Sequence, residues 1–332
     1  MNKLGGAIAL PTSIRLEACS LCQLKCPLCP ETQDKTTTII GRGYLSFETF
    51  KMFIGNNPYI RWVELASSGE VFLNPDLPKI LEYTHAKKVS TTINDGANLN
   101  HASDEALEAL VKFQTEVVRC AIDGITQETY SAYRVGGSLK KVIANIRKIN
   151  AYKEKYRSSK PYLIFQFIVF GHNEHEMEKA TLLANLLKMK ISFRYNLLPD
   201  CMPVKNRGRV RGLIGYVDRR DYLKKTKKDY VRGVCHALWK SPQINWDGKL
   251  LGCSNNIRVI FSENVFNGNL LMHYNSEKMR YARQMLMGKA PPRKDMPCLG
   301  CQMYEALKKF DNWITTDEIK KWRPPYERLF NE

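Results

Sequence analysis

The chain of 332 residues contains no apolar run long enough to span a bilayer. Residues 1–13 lack the charged-then-apolar order of a secretory signal. Together these absences argue against an exported or bilayer-spanning protein and make the cytoplasm the expected compartment. Internal repeats and low-complexity tracts are also missing, which excludes solenoids and arrays. Acidic residues are scarce: 33 Asp and Glu face 51 Lys and Arg, a formal charge of +18. Between Cys201 and Lys240 there are twelve Lys or Arg against three Asp or Glu. Such a stretch concentrates anions, whether nucleic acid, a phosphorylated metabolite or a membrane surface, although a solvated face reads the same way. No RNA-binding motif or aromatic interleaving accompanies it, so nucleic acid as a partner rests on charge alone.

Cysteine, by contrast, is plentiful, at ten residues. Without an export signal, these are expected to bind metal or to remain thiols in a reducing compartment. Three of them, Cys22, Cys26 and Cys29, follow an apolar segment with the spacing C-x3-C-x2-C. Three thiolates on one short loop can cap three irons of a four-iron cluster and leave the fourth iron open. Two rival readings compete. Cys19 and Cys22 followed by Cys26 and Cys29 could form a zinc knuckle, but only three residues separate the pairs. Disulfides are disfavoured by the compartment.

The loop resembles the signature of the radical S-adenosylmethionine (radical SAM) enzymes. In that family the open iron chelates the methionine end of SAM, and reductive cleavage yields a 5′-deoxyadenosyl radical that takes hydrogen from a substrate. The resemblance implies a partial (β/α)6 TIM-like barrel with its site at the carboxyl ends of the strands. Ser67-Ser68-Gly69-Glu70 resembles the GGE turn, which makes Ser68, Gly69 and Glu70 contacts for SAM. Asn94 and Asp123, each followed within two residues by glycine, match two further SAM-binding segments. Val169 and Leu28 are implied apolar contacts for adenine, and Arg194 a partner for the SAM carboxylate. The general base or acid of the reaction is not identifiable.

Past the basic stretch, Cys235, Cys253, Cys298 and Cys301 resemble the SPASM extension of radical SAM enzymes, and no cysteine follows Cys301. Four ligands imply one fully ligated auxiliary [4Fe–4S] cluster, as in the shorter twitch extension; structural zinc is the competing reading. Cys19, Cys120 and Cys201 are left as core thiols. The implied cofactors are thus SAM and two [4Fe–4S] clusters, fed by an external donor of flavodoxin or ferredoxin type. The leading reaction is oxidation of a C–H bond in a sugar, cyclitol or other polar, anionic metabolite. Peptide modification and RNA modification are the alternatives.

Periodicity independently reads as α/β. Strands are expected at 14–18, 61–66, 89–93, 117–122, 163–169 and 191–196. Helices should start at Ser46, Pro75, Ser103, Thr126, Ser138 and Asn173, the last with Glu176 completing a capping box. Such a pattern suits an open doubly wound sheet or a barrel; periodicity does not choose. The expected division is an N-terminal tail (1–13), a barrel (14–198), a basic linker (199–234), an auxiliary-cluster domain with a β-hairpin and helix (235–305), and a C-terminal segment (306–332).

Overall fold

The computed structural model describes residues 10–32, 39–256 and 258–323. Most of the expected tail and the last nine residues of the C-terminal segment lie outside them. Six strands, β1 (Ser13–Leu16), β2 (Trp62–Glu64), β3 (Ser90–Ala97), β4 (Val117–Ala121), β5 (Tyr162–Val169) and β6 (Lys190–Tyr195), pair in parallel. A short β7 (Gln243–Ile244) adds beside β1, giving the order β6-β5-β4-β3-β2-β1-β7. The strands are connected through α1 (Phe47–Asn56), α2 (Leu77–Ala86), α3 (Asp104–Lys112), α4 (Gln127–Tyr133), α5 (Leu139–Lys155) and α6 (Met177–Leu186).

Strand order settles what periodicity left open. A doubly wound sheet reverses its order at a switch point and so carries helices on both faces. Here the first six strands follow one another without reversal. Right-handed crossovers then place every helix on one face, and the other curls toward a lumen. A partial barrel is consistent with this topology. Pleating sorts the side chains accordingly. Val63, Ile93, Val118, Phe165, Phe167 and Val169 join helix residues such as Leu107, Leu110 and Ile146 in the main core. On the other face, Trp62, Val117, Tyr162 and Ile164 form a small apolar cluster of their own.

Local capping sets the helix starts. Ser46, Ser103, Thr126 and Ser138 each accept a backbone N–H three residues on. The capping box expected at Asn173 and Glu176 does not form. Residues Glu174–Glu176 make a 3-10 turn, and α6 starts only at Met177. Asn173 instead donates to the carbonyls of Asp123 and Ile168, both at 2.9 Å. Glu176 accepts from Ile125 N and Thr129 Oγ1, both at 2.9 Å. Both side chains thus tie β5 and α6 to the loop after β4.

The basic stretch folds into α7 (Arg207–Ile214), capped by Asn206, and α8 (Arg219–Thr226), capped by Asp218. Seven of its twelve cations are ion-paired within the chain: Arg207, Arg209, Arg211, Arg219, Arg220, Lys225 and Arg232. Three of the acids they meet, Glu178, Asp200 and Glu318, lie outside the stretch and offset part of its excess charge. Beyond β7, Trp246-Asp247-Gly248 makes a tight turn, with Asn245 N bonded to Lys249 O at 2.9 Å and Gly248 at φ +91°. Leu250, Phe261, Phe266, Tyr274 and Met285 belong to the same core as the six-stranded parallel sheet and its helices. Phe266 meets Phe53 of α1 edge-on at 5.2 Å. No helix among the described residues is long and apolar enough to cross a membrane.

Candidate functional site

A cavity of about 540 Å³ opens at the carboxyl ends of the strands. Cys22, Cys26 and Cys29 line it, together with Leu28, Ser68, Gly69, Glu70, Asn98 and Arg134. Cys19 does not. It is fully buried one turn earlier, with its thiol toward Leu21 O at 3.9 Å. The cavity therefore has three cysteines among its lining residues, a donor set that suits a four-iron cluster with one iron left open.

The cysteine loop is held by contacts that sequence reasoning missed. Asn98 donates to Cys22 Sγ at 3.9 Å and accepts from Gln23 at 2.7 Å. Arg134, at the end of α4, donates to Cys26 Sγ at 3.6 Å. Its guanidinium is fixed by an ion pair of 2.6 Å to the fully buried Asp123. Asp123 in turn accepts from Ile168 N at 2.6 Å. Asp123 thus does not line the cavity; it positions the arginine that does. Burial pushes the Cys22 thiol up to about 12, with Glu70 and the neighbouring cysteines adding to the rise. A positive centre is what such thiols need to ionise.

Glu17 organises the turn after β2. Its carboxylate accepts from Ser68 N at 2.6 Å and Gly69 N at 3.4 Å. In a trans peptide the carbonyl points opposite the N–H, so the carbonyls of Ser67 and Ser68 face away from Glu17. Gly69 meets the backbone of Cys19 and Ser20 so closely that any Cβ would collide with both. Glu70 accepts from Asn98 N at 2.6 Å and Phe72 N at 3.2 Å. Its burial lifts the carboxyl to about 7, against the pull of those amides.

Three further expected contacts fall elsewhere. Asn94 is taken by Arg119, whose Nε reaches Asn94 Oδ1 at 2.9 Å; the neighbours Asp95 and Gly96 line the cavity in its place. Val169 is fully buried in the main core, one residue out of phase with Ile168, which lines the cavity. Arg194 is absent from the residues lining the cavity and sits 5.7 Å from the ring of Tyr230.

Cys235, Cys253, Cys298 and Cys301 converge on a second, small cavity of about 30 Å³, walled by Leu238, Phe261, Leu286 and Tyr304. Burial raises Cys253 to about 12, and proximity to Cys301 adds to the rise. Cys301 is the N-cap residue of the helix Gln302–Lys309, and Asn255 Nδ2 lies 3.8 Å from its sulfur. Among the described residues no group of three or more His, Cys, Asp or Glu closes around one point tightly enough to hold a single metal ion. None of the ten cysteines is in a disulfide; Cys19 and Cys120 are buried, but Cys201 is exposed and is not the core thiol expected of it.

No family profile and no curated protein sequence matches the chain. Solved structures do. Streptococcus suis SuiB bound to S-adenosylmethionine superposes with a TM-score of 0.61 at 13% identity, covering 90% of this chain and 72% of that one. SuiB bound to the precursor peptide SuiA gives 0.60 at 12% identity over 90% and 71%. Native anSMEcpe with bound AdoMet and the Cp18Cys peptide gives 0.57 at 14%, covering 97% of this chain and 98% of that one. At such identities the shared property is the fold, and the chain has the fold of these three structures.

Proposed function

We propose that the chain is a radical SAM enzyme that abstracts hydrogen from its substrate at the mouth of the barrel. The observation that carries this reading is the convergence of Cys22, Cys26, Cys29, Gly69, Glu70 and Arg134 on one cavity at the strand ends. The three cysteines would hold an iron–sulfur cluster whose fourth iron takes SAM. When bound, that pair supplies a carbon-centred radical. The chain's own residues do the rest. Arg134 stands beside the cysteine loop with its charge fixed by Asp123, where it would meet the SAM carboxylate. Glu17 turns the carbonyls of Ser67 and Ser68 to accept from the SAM amino group. Leu28 and Ile168 give an apolar wall for adenine. Asn98 and Arg134 donate to the sulfurs of Cys22 and Cys26 and favour the reduced, more negative cluster.

Cys235, Cys253, Cys298 and Cys301 would hold the second cluster of the same kind, with no coordination position left for substrate. That arrangement suits passage of an electron out of a substrate radical, and so a two-electron oxidation of a C–H bond. Peptide modification is the second reading, favoured by the peptide-bound state of two of the similar structures. The separating experiment is anaerobic reconstitution. Iron and sulfide near eight per chain are expected, about four after Cys298→Ala with Cys301→Ala. That double variant should still cleave SAM yet form no oxidised product; unchanged iron content would overturn the auxiliary assignment.

A further inference from the structure

Inside the lumen lie two arginines that the cysteine cavity does not use. Arg119 stands on β4 and Arg194 on β6. The registers Ala121 to Gln166, Gln166 to Ser192 and Ile168 to Arg194 put both arginines on the face of Gln166 and Ile168, which line the cavity. Arg119 is only 6% exposed. Its Nε donates to the carbonyl and side-chain oxygens of Asn94 at 3.2 and 2.9 Å, and its Nη1 to Ser192 Oγ at 3.0 Å. None of these acceptors is charged. Arg194 lies over Tyr230 at 5.7 Å.

The acids of the lumen have direct partners of their own and act on Arg119 only through space. Asp95 pairs with Arg15 at 2.5 Å. Glu64 accepts from Thr92, Asn94 N and Ala66 N. Among the described residues neither Arg119 nor Arg194 makes an ion pair. Burial, followed by the like charge of Arg194, pulls the Arg119 guanidinium down to about 10, although Asp95, Glu64 and Tyr230 pull the other way. Keeping two guanidinium groups together in a sheltered lumen is unfavourable until an anion joins them.

We propose that Arg119 and Arg194, with Tyr230 as a wall, anchor an oxyanion carried by the substrate, a phosphate or a carboxylate. The planar guanidinium fork suits either group. This deepens the functional reading, since it rests on the barrel mouth being the reaction site. It also separates two anions, with Arg134 serving the cosubstrate at the cysteine loop and the lumen pair serving the substrate.

Calorimetric titration of the reconstituted full chain with inorganic phosphate, malonate and SAM in turn tests the assignment. At least one oxyanion should bind. Its affinity should fall by ~10-fold or more in Arg194→Met and recover in part in Arg194→Lys. Affinity for SAM should stay unchanged in both variants. Phosphate binding alone would assign a phosphorylated substrate, malonate binding alone a carboxylate, and competition between them a shared site. Failure of both to bind, or binding indifferent to Arg194→Met, overturns the proposal. Arg194-dependent binding in a chain that forms no 5′-deoxyadenosine would keep the anion site and remove the radical chemistry; the converse result would remove only the anion site.

Discussion

Glu17 lies just past β1 with its carboxylate buried against the amides of Ser68 and Gly69. Burial lifts it to about 8, and those two amides and Arg15 offset only part of the rise. The folded chain therefore holds this proton more tightly than the unfolded chain does. Its stabilising contribution is full below the ordinary carboxyl value and is lost as pH rises through about 8. Replacing Glu17 by Gln removes the titration, so thermal melts from about pH 5 to 9 should fall less steeply for the variant than for the native chain. Asp123 is a fully buried acid paired with an arginine whose side chain is 12% exposed. Asp123→Ala leaves Arg134 uncompensated and should cost ~3–5 kcal/mol in denaturant unfolding. It should also weaken SAM binding, because the guanidinium keeps its contacts to Cys26 Sγ and the Tyr133 ring but loses the carboxylate that fixes it.

At the scale of elements, Gly69 joins the turn after β2 to the cysteine loop after β1. Gly69→Ala places a methyl group against the backbone of Cys19 and Ser20, which cannot rotate away. The expected outcome is a native far-ultraviolet circular dichroism spectrum with reduced iron incorporation at the amino-terminal cluster; full incorporation would show that the loop can shift. Elements decided by near neighbours could be read from the sequence. Ser46, Ser103, Thr126 and Ser138 cap their helices because a cap needs only the next three residues. Asn173 and Glu176 misled for the reverse reason, since their side chains reach Asp123, Ile125 and Ile168 across the fold. Val169 lies one step of the pleat from the cavity-lining Ile168, a difference that a motif written on spacing does not resolve. Arg134 and Glu17 carried no motif. A charged residue beside an apolar strand, as in Leu16-Glu17-Ala18, was the available signal for the second.

Across the molecule, the carboxyl third is joined to the parallel sheet. β7 extends the sheet from β1, and Phe266 packs on Phe53 beside the first helix. The strand that launches the cysteine loop is thus bordered on one side by the segment bearing Cys253. Arg15 on β1 bonds Gln243 of β7 at 3.0 Å and pairs with Asp95 at the cavity. Cys253 lies close enough for Arg15 to favour its thiolate, although burial dominates that thiol. Arg15 thus links β7 to Asp95, a residue that lines the cavity of the cysteine loop.

The account depends on an iron at the amino-terminal cluster that the chain leaves free for SAM. Its most direct measurement is the yield of 5′-deoxyadenosine from SAM by the reconstituted, chemically reduced protein under anaerobic conditions. The intact chain should form it, and the Cys22→Ala, Cys26→Ala, Cys29→Ala variant should form none. Equal yields from both proteins, or an intact chain that carries its full iron content and leaves SAM uncleaved, would contradict the account.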